Sequence, residues 1–384
     1  MNKIFILLLT FIIFASCTKK IDNGINELTV NLGDTTDYVN LSDVVSFSEC
    51  IPLETNDSVI IDNIIKVISE NGTMYVADRF SIYKFDDNGK FQSKFDKHGI
   101  APDEYIHISD FFIGENEDLW ILSRSGQCLY NYGWDGNLKK VIKLNCWAAK
   151  MCVVDKESVL LYVGNEKDKY NNCQLLLLNL NTQEITAKYL PIDDKKSKYL
   201  HIMGHNYFLP SKDGKEICFY QMFNDTIYQM GQNGLLPKYY LNLDNKNIPI
   251  SFFDNEYQNV MDFFQHLSSK DWAYGINWMW ERDDVFWLSY YYQGECYLNI
   301  LSNNQISKNV YELKDDLSLL GYPIKFEDLG VFPQSSDELI FALSPVDIIE
   351  YGMEHLDMEQ QSLLKQKIRY LGDDQNMVLL KLKL

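Results

Sequence analysis

Between Asp62 and Tyr105 the chain reverses twice around Asn-Gly, and this stretch fixes what the polypeptide can become. An apolar run, IIKVIS, meets a turn at Glu70-Asn71-Gly72 and is answered by MYVAD. A corner at Arg79-Phe80 leads to SIYKFD, a turn at Asp87-Asn88-Gly89 follows, and FQSKF closes the unit. Asn-Gly between alternating apolar runs favours the left-handed turn that matches the twist of paired strands. Four short antiparallel strands in 40-odd residues make one blade of a propeller.

The pattern recurs. Ile108 to Leu144 repeats it as ISDFFIG, DLWILS, QCLYNYG and LKKVIKL, with first strands starting at Ile64 and Ile108. That spacing suits propeller repeats. Further units are read at about Ala149–Tyr189, Leu200–Leu243 and Ile276–Leu313, and a sixth from Leu329 to the terminal MVLLKLKL. The last unit lacks a strand, and SFSECIPL upstream of the first lacks a blade. Pairing Val45–Leu53 with Met377–Leu384 closes the ring and removes an exposed sheet edge. The prediction is therefore an all-β, six-bladed propeller of four-stranded antiparallel blades over residues 38–384. Two segments carry helical rather than strand spacing, at about 254–269 and 344–371. The second opens with Ser344-Pro345, a cap followed by a first-turn proline. Both are expected on one side of the disc.

Composition agrees. The 384 residues are 46% hydrophobic and 14% aromatic, with 25 Tyr and 21 Phe, which suit half-buried pleated surfaces. A net charge of −19 argues against nucleic acid and against adsorption to an anionic bilayer surface. The eight cysteines include no Cys-x-x-Cys pair, and most lie in apolar strand patterns, which points to buried thiols over a disulfide framework.

Residues 1–17, MNKIFILLLTFIIFASC, have the layout of a secretory leader: a short basic start, an eleven-residue apolar run, then small residues before Cys17. The run is too short to span a bilayer permanently. Ala15-Ser16-Cys17 resembles a bacterial lipobox, which implies cleavage before Cys17 and acylation there. Residues 18–37 then read as a polar tether, and the membrane is a partner through the lipid.

With these residues in place the chain resembles the six-bladed β-propeller lipoproteins of Bacteroidetes, themselves similar to NHL-repeat propellers. The resemblance rests on the lipobox, IPLET before the first blade, the MYVAD-type second strand, and GIAPDEY joining blades one and two. The family loop reads Gly-x-Gly-Pro-Gly-Glu-Tyr/Phe. Here Gly99, Pro102, Glu104 and Tyr105 match, while Ala101 and Asp103 replace glycines. The resemblance implies an envelope address, outer membrane included, and no particular reaction.

Asp103 and Glu104 are candidates for a carboxylate facing the central channel; alternatively Glu104 binds backbone N–H groups and fixes its loop. His201 and His205, four apart, sit in strand-like surroundings where that spacing loses its zinc meaning, so no metal and no cofactor is expected. In Trp272–Tyr292, Trp272 and Tyr274 precede the apolar strand and are the candidates for exposed rings that stack on a sugar or anchor a protein. Trp278, Trp280 and Trp287 are candidates for core. The functional expectation is a binding or scaffold propeller for a glycan or an envelope protein. The alternative is a lyase or hydrolase with carboxylates at the channel mouth.

Overall fold

The computed structural model describes residues 25–384 apart from 34, 168–170, 199–206, 211–215, 283–284, 303–304, 327–329, 335–336, 371, 373–374 and 384. Cys17 and the leader lie outside the described residues, as do His201 and His205.

Three strands precede the first blade: β1 (Asn26–Val30), β2 (Thr35–Asn40) and β3 (Phe47–Pro52). Blade one is β4 (Lys66–Glu70), β5 (Thr73–Ala77), β6 (Ser81–Asp86) and β7 (Phe91–Asp96). Blade two is β8 (Asp110–Ile113), β9 (Leu119–Ser123), β10 (Cys128–Tyr132) and β11 (Leu138–Lys143). Blade three is β12 (Lys150–Asp155), β13 (Ser158–Tyr162), β14 (Cys173–Asn179) and β15 (Ile185–Pro191). Blade four is β16 (Phe208–Pro210), β17 (Ile217–Phe219), β18 (Thr226–Gly231) and β19 (Gly234–Leu243). Blade five is β20 (Ala273–Arg282), β21 (Val285–Tyr292), β22 (Glu295–Ser302) and β23 (Gln305–Asp315), with β24 (Tyr322–Lys325) paired to β23. Blade six is β25 (Gly330–Pro333), β26 (Glu338–Leu343) and β27 (Val378–Lys383), completed by β3.

The closure follows the sequence expectation. β27 and β3 pair antiparallel from Val378↔Pro52 to Lys383↔Phe47. Every junction around the ring has a named contact. Lys66 joins Asp110 across blades one and two, and Asp110 accepts the Met151 N–H from blade three. Gln221 donates to Gln174, Lys238 meets Glu281, Trp278 packs edge-on to Phe341, and Gln334 accepts the Ser69 N–H.

The expected tether is corrected from Asn26 onward. β1 lies parallel to β19 and β2 parallel to β23, so blades four and five each gain an outermost strand. Leu28, Val30 and Val39 are buried there. The apolar positions of these short segments cover sheet edges that would otherwise stay open.

Strands alternate in direction, so the turns fall into two sets. First-to-second and third-to-fourth strand turns leave from one edge of each blade, the hairpin edge. Second-to-third strand turns and interblade connections leave from the other, the loop edge. The helix Val260–Ser268 lies between β19 and β20, and the helices Pro345–His355 and Met358–Lys367 lie between β26 and β27. Both insertions therefore sit on the loop edge, as expected. Asn259, Ser344 and Asp357 cap these helices through their side chains, and Asp357 and Gln360 form a capping box.

Trp278, Trp280 and Trp287 are buried in the largest core cluster, in line with the core reading. The seven cysteines of the described residues form no disulfide with one another, and four of them are buried.

Candidate functional site

The innermost strands of blades one, two and three begin with Lys66, Asp110 and Lys150. Each occupies the same position of its repeat, at the end of the inner strand that adjoins the loop edge. The repeat thus stacks a cation, an anion and a cation along one arc of the channel. Together with Cys152, Phe208, Pro210 and Pro333 they line a cavity of about 90 Å³.

The first two charges neutralise each other. Lys66 Nζ donates to Asp110 Oδ1 at 2.7 Å and to the Phe111 carbonyl at 2.8 Å. Asp110 Oδ1 also accepts its neighbour's Phe111 N–H at 2.8 Å, and Oδ2 accepts the Met151 N–H at 2.7 Å. A buried carboxylate satisfied by an ammonium and two amides is held rigidly. Lys150 differs, because its side chain has no hydrogen-bond or ion-pair partner among the described residues. Burial pulls its ammonium below the ordinary lysine range, the nearby Lys66 adds to the drop, and Asp110 opposes it. Burial also pushes the Cys152 thiol up to about 12, so it stays protonated.

The sequence-derived candidates fall elsewhere. Glu104 is half-buried and Asp103 exposed. Glu104 Oε2 accepts the Ala101 N–H at 2.9 Å and lies so close over Gly99 that a Cβ there would sit 1.9 Å away. Tyr105 is fully buried; its hydroxyl donates to the Phe80 carbonyl at 2.7 Å and accepts the Lys97 N–H at 3.1 Å. Asp103 contributes its carbonyl to the Tyr132 hydroxyl. The GIAPDEY loop thus wedges between blades one and two through the Glu104 carboxylate and the Tyr105 ring, the second of the two readings given for Glu104.

Trp272 and Tyr274 are corrected. Tyr274 lies inside β20, not before it, and both rings are half-buried. Trp272 packs edge-on to Phe252 at 5.1 Å, while Tyr274 stacks between Phe223 and Tyr291, 5.6 Å from each. The cause is the insertion before β20: Phe252, Phe253 and Phe263 need a floor, and these two rings supply it.

Lys66, Asp110 and Lys150 escaped the sequence reading. The available signal was register: laying IIKVIS, ISDFFI and AAKMCV one above another brings the three charges into one column.

A second feature is the distribution of exposed apolar side chains. Ile60, Phe80, Ile100, Ile106, Trp147, Ile250, Met261, Leu317, Met353, Met358 and Leu363 all belong to loop-edge segments. Towards the hairpin edge the described residues expose fewer, Phe47, Val153 and Leu236, all within strand ends.

The fold is shared with solved structures. One from Bacteroides fragilis, provisionally described as an exported protein, superposes with TM-score 0.70 at 16% identity over 91% of this chain and 99% of its own. A DUF4221 family member from Bacteroides vulgatus gives 0.48 at 9% identity, over 88% of this chain and 96% of its own. Virginiamycin B lyase from Staphylococcus aureus gives 0.42 at 11%, over 87% and 83%. At such identities the first match speaks for the fold alone, and the other two carry no argument. No curated protein matches the chain in sequence. The family pattern of a domain of unknown function, DUF4934, spans residues 27–383, and the chain belongs to that family.

Proposed function

We propose that this protein is a lipid-anchored binding propeller of the cell envelope, which receives a partner protein on its loop edge. The carrying observation is the concentration of exposed apolar side chains on the loop edge. Ile100 is 100% exposed, Met358 84% and Met261 77%, all on the edge that also bears both helical insertions. Methionine and aliphatic side chains left in water and concentrated on one edge fit a surface covered by another protein. Loops on a rigid scaffold are where such recognition usually resides. The leader and its Cys17 support an extracytoplasmic address.

A glycan is the weaker ligand on this reading, because both ring faces of Tyr274 are stacked and Trp272 is half-buried against Phe252. A lyase or hydrolase is likewise disfavoured at the channel, where both Asp110 oxygens are already engaged. The test is crosslinking in intact cells of wild-type protein and of the triple variant Ile100→Asp, Met261→Asp, Met358→Asp. Loss of the crosslinked partner with an unchanged melting temperature supports the proposal. An unchanged set of crosslinks sinks it. Incorporation of labelled lipid that persists in Cys17→Ala refutes the anchor.

A further inference from the structure

We infer that the hairpin edge carries a binding site for an uncharged saccharide, in a groove between the turns of blades two and three. The inference is independent of partner binding, which falls to the opposite edge. The groove has a volume of about 640 Å³, within the range of about 300–1,000 Å³ in which small-molecule sites fall. Its apolar lining includes Phe112 and Trp120 from blade two and Val153 from blade three. Register builds it. Phe112 stands directly opposite Trp120 on the neighbouring strand, and the two rings stack within 10° of parallel at 5.7 Å. Gly114 makes room for the indole, since a Cβ there would lie 3.0 Å from Trp120 Cδ1 and Nε1. Val153 is 38% exposed, one of the few large apolar side chains left open towards this edge.

The polar lining decides the ligand class. Both lysines of the groove already have partners: Lys140 donates to the Leu180 carbonyl at 2.5 Å, and Lys156 pairs with Glu115 at 2.6 Å. The side chains of Glu70, Asn116 and Asn181 have no hydrogen-bond or ion-pair partner among the described residues, and neither has the indole Nε1 of the half-buried Trp120. The carboxylate offers acceptors, the indole a donor, and the two amides offer both. A sugar ring matches this arrangement. Hydroxyls around its rim donate and accept, while the C–H groups on its flat sides rest against aromatic and aliphatic surface. The free Glu70 carboxylate disfavours an acidic sugar, and the engaged lysines do not invite one.

Saccharide binding has a signature at Trp120. A ring laid against the indole removes water from a half-buried fluorophore, so its emission moves to shorter wavelength. The chain has seven tryptophans, and the Trp120 contribution is read as the difference between wild type and Trp120→Phe.

The experiment probes an array of oligosaccharides of neutral hexoses, N-acetylhexosamines and uronic acids with the mature chain. The strongest binder is then titrated into wild type, Trp120→Ala and Val153→Asp. The expected result is an uncharged glycan that binds saturably, shifts the Trp120 emission, and loses at least about tenfold in affinity in each variant. The loop-edge triple variant Ile100→Asp, Met261→Asp, Met358→Asp keeps the wild-type affinity, so a failure of the partner reading is distinguishable from a failure of this one. Should Trp120→Ala fail to fold, Val153→Asp decides, because that position is exposed. No binder on the array, a uronic-acid glycan as the strongest binder, or an unchanged affinity in either folded variant overturns the inference.

Discussion

The side-chain carbonyl of Asn376 accepts the backbone N–H of Ile61 at 2.8 Å, across 315 positions of sequence. The same amide donates to the Glu54 and Val59 carbonyls at 2.8 Å each, and the Asn376 N–H reaches the Thr55 hydroxyl. One side chain ties the entry of the last strand to the exit of the closing strand. Asn376→Ala leaves three buried backbone groups unpaired and is expected to destabilise the fold by about 3 kcal/mol. Asn376→Asp keeps the acceptor and loses both donors, so it also destabilises. Urea denaturation measures both, and an unchanged midpoint for Asn376→Ala would remove the clasp from the account.

Gly99 and Glu104 form a second pair open to test. A Cβ at Gly99 collides with the Glu104 carboxylate, so Gly99→Ala should cost about 1–3 kcal/mol while Glu104→Ala costs about 1 kcal/mol. In the double variant the collision disappears. A double-mutant cycle should therefore show a total clearly below the sum of the single changes. Strict additivity would mean that the loop yields without touching the carboxylate.

Trp272→Ala and Tyr274→Ala are expected to lower stability by about 2 kcal/mol each, because each ring closes the aromatic cluster beneath the helix Val260–Ser268. Thermal melts distinguish this from a ligand-contact role, which would leave the melting temperature where it is.

Alkaline pH should weaken the fold. Burial raises the Cys50, Cys152 and Cys218 thiols to about 12 from an ordinary 9.0. Between those values the unfolded chain has lost protons that the native protein keeps, so stability falls as pH rises from 9 towards 12. Lys150, whose pKa is depressed, works the other way: its contribution rises with pH up to the ordinary lysine value. Denaturation series for wild type and Lys150→Met at pH 8, 9.5 and 11 separate the two effects. A wild-type profile flat above pH 9 would contradict the thiol assignment.

The blades were legible where turns were local. Asn71-Gly72 and Asn88-Gly89 announce hairpins whose partners are a few residues away, and the ring follows from counting them. Gly89 shows the demand directly: its φ is +77° and a Cβ there would lie 2.3 Å from the Pro52 carbonyl oxygen. β1 and β2 were illegible for the opposite reason. Their partners, β19 and β23, lie more than 200 positions away and pair in parallel, and no turn chemistry announces such a contact. Trp272 and Tyr274 misled because an insertion looks like a free loop in sequence, whereas Phe252, Phe253 and Phe263 give it a core of its own. The column of Lys66, Asp110 and Lys150 needed alignment of repeats by register, and periodicity of apolar residues says nothing about it.

The parallel course of β1 beside β19 sets an orientation. Asn26 lies beside Tyr239 and Val30 beside Leu243, so the chain arrives from the hairpin side and travels towards the loops. Only eight residues separate Cys17 from Asn26, a reach of at most about 30 Å. A lipid at Cys17 would therefore moor the wheel by its perimeter, near blade four, with the methionine-bearing side turned outward from the bilayer. A docking protein would approach from the aqueous side, unobstructed by the lipid headgroups.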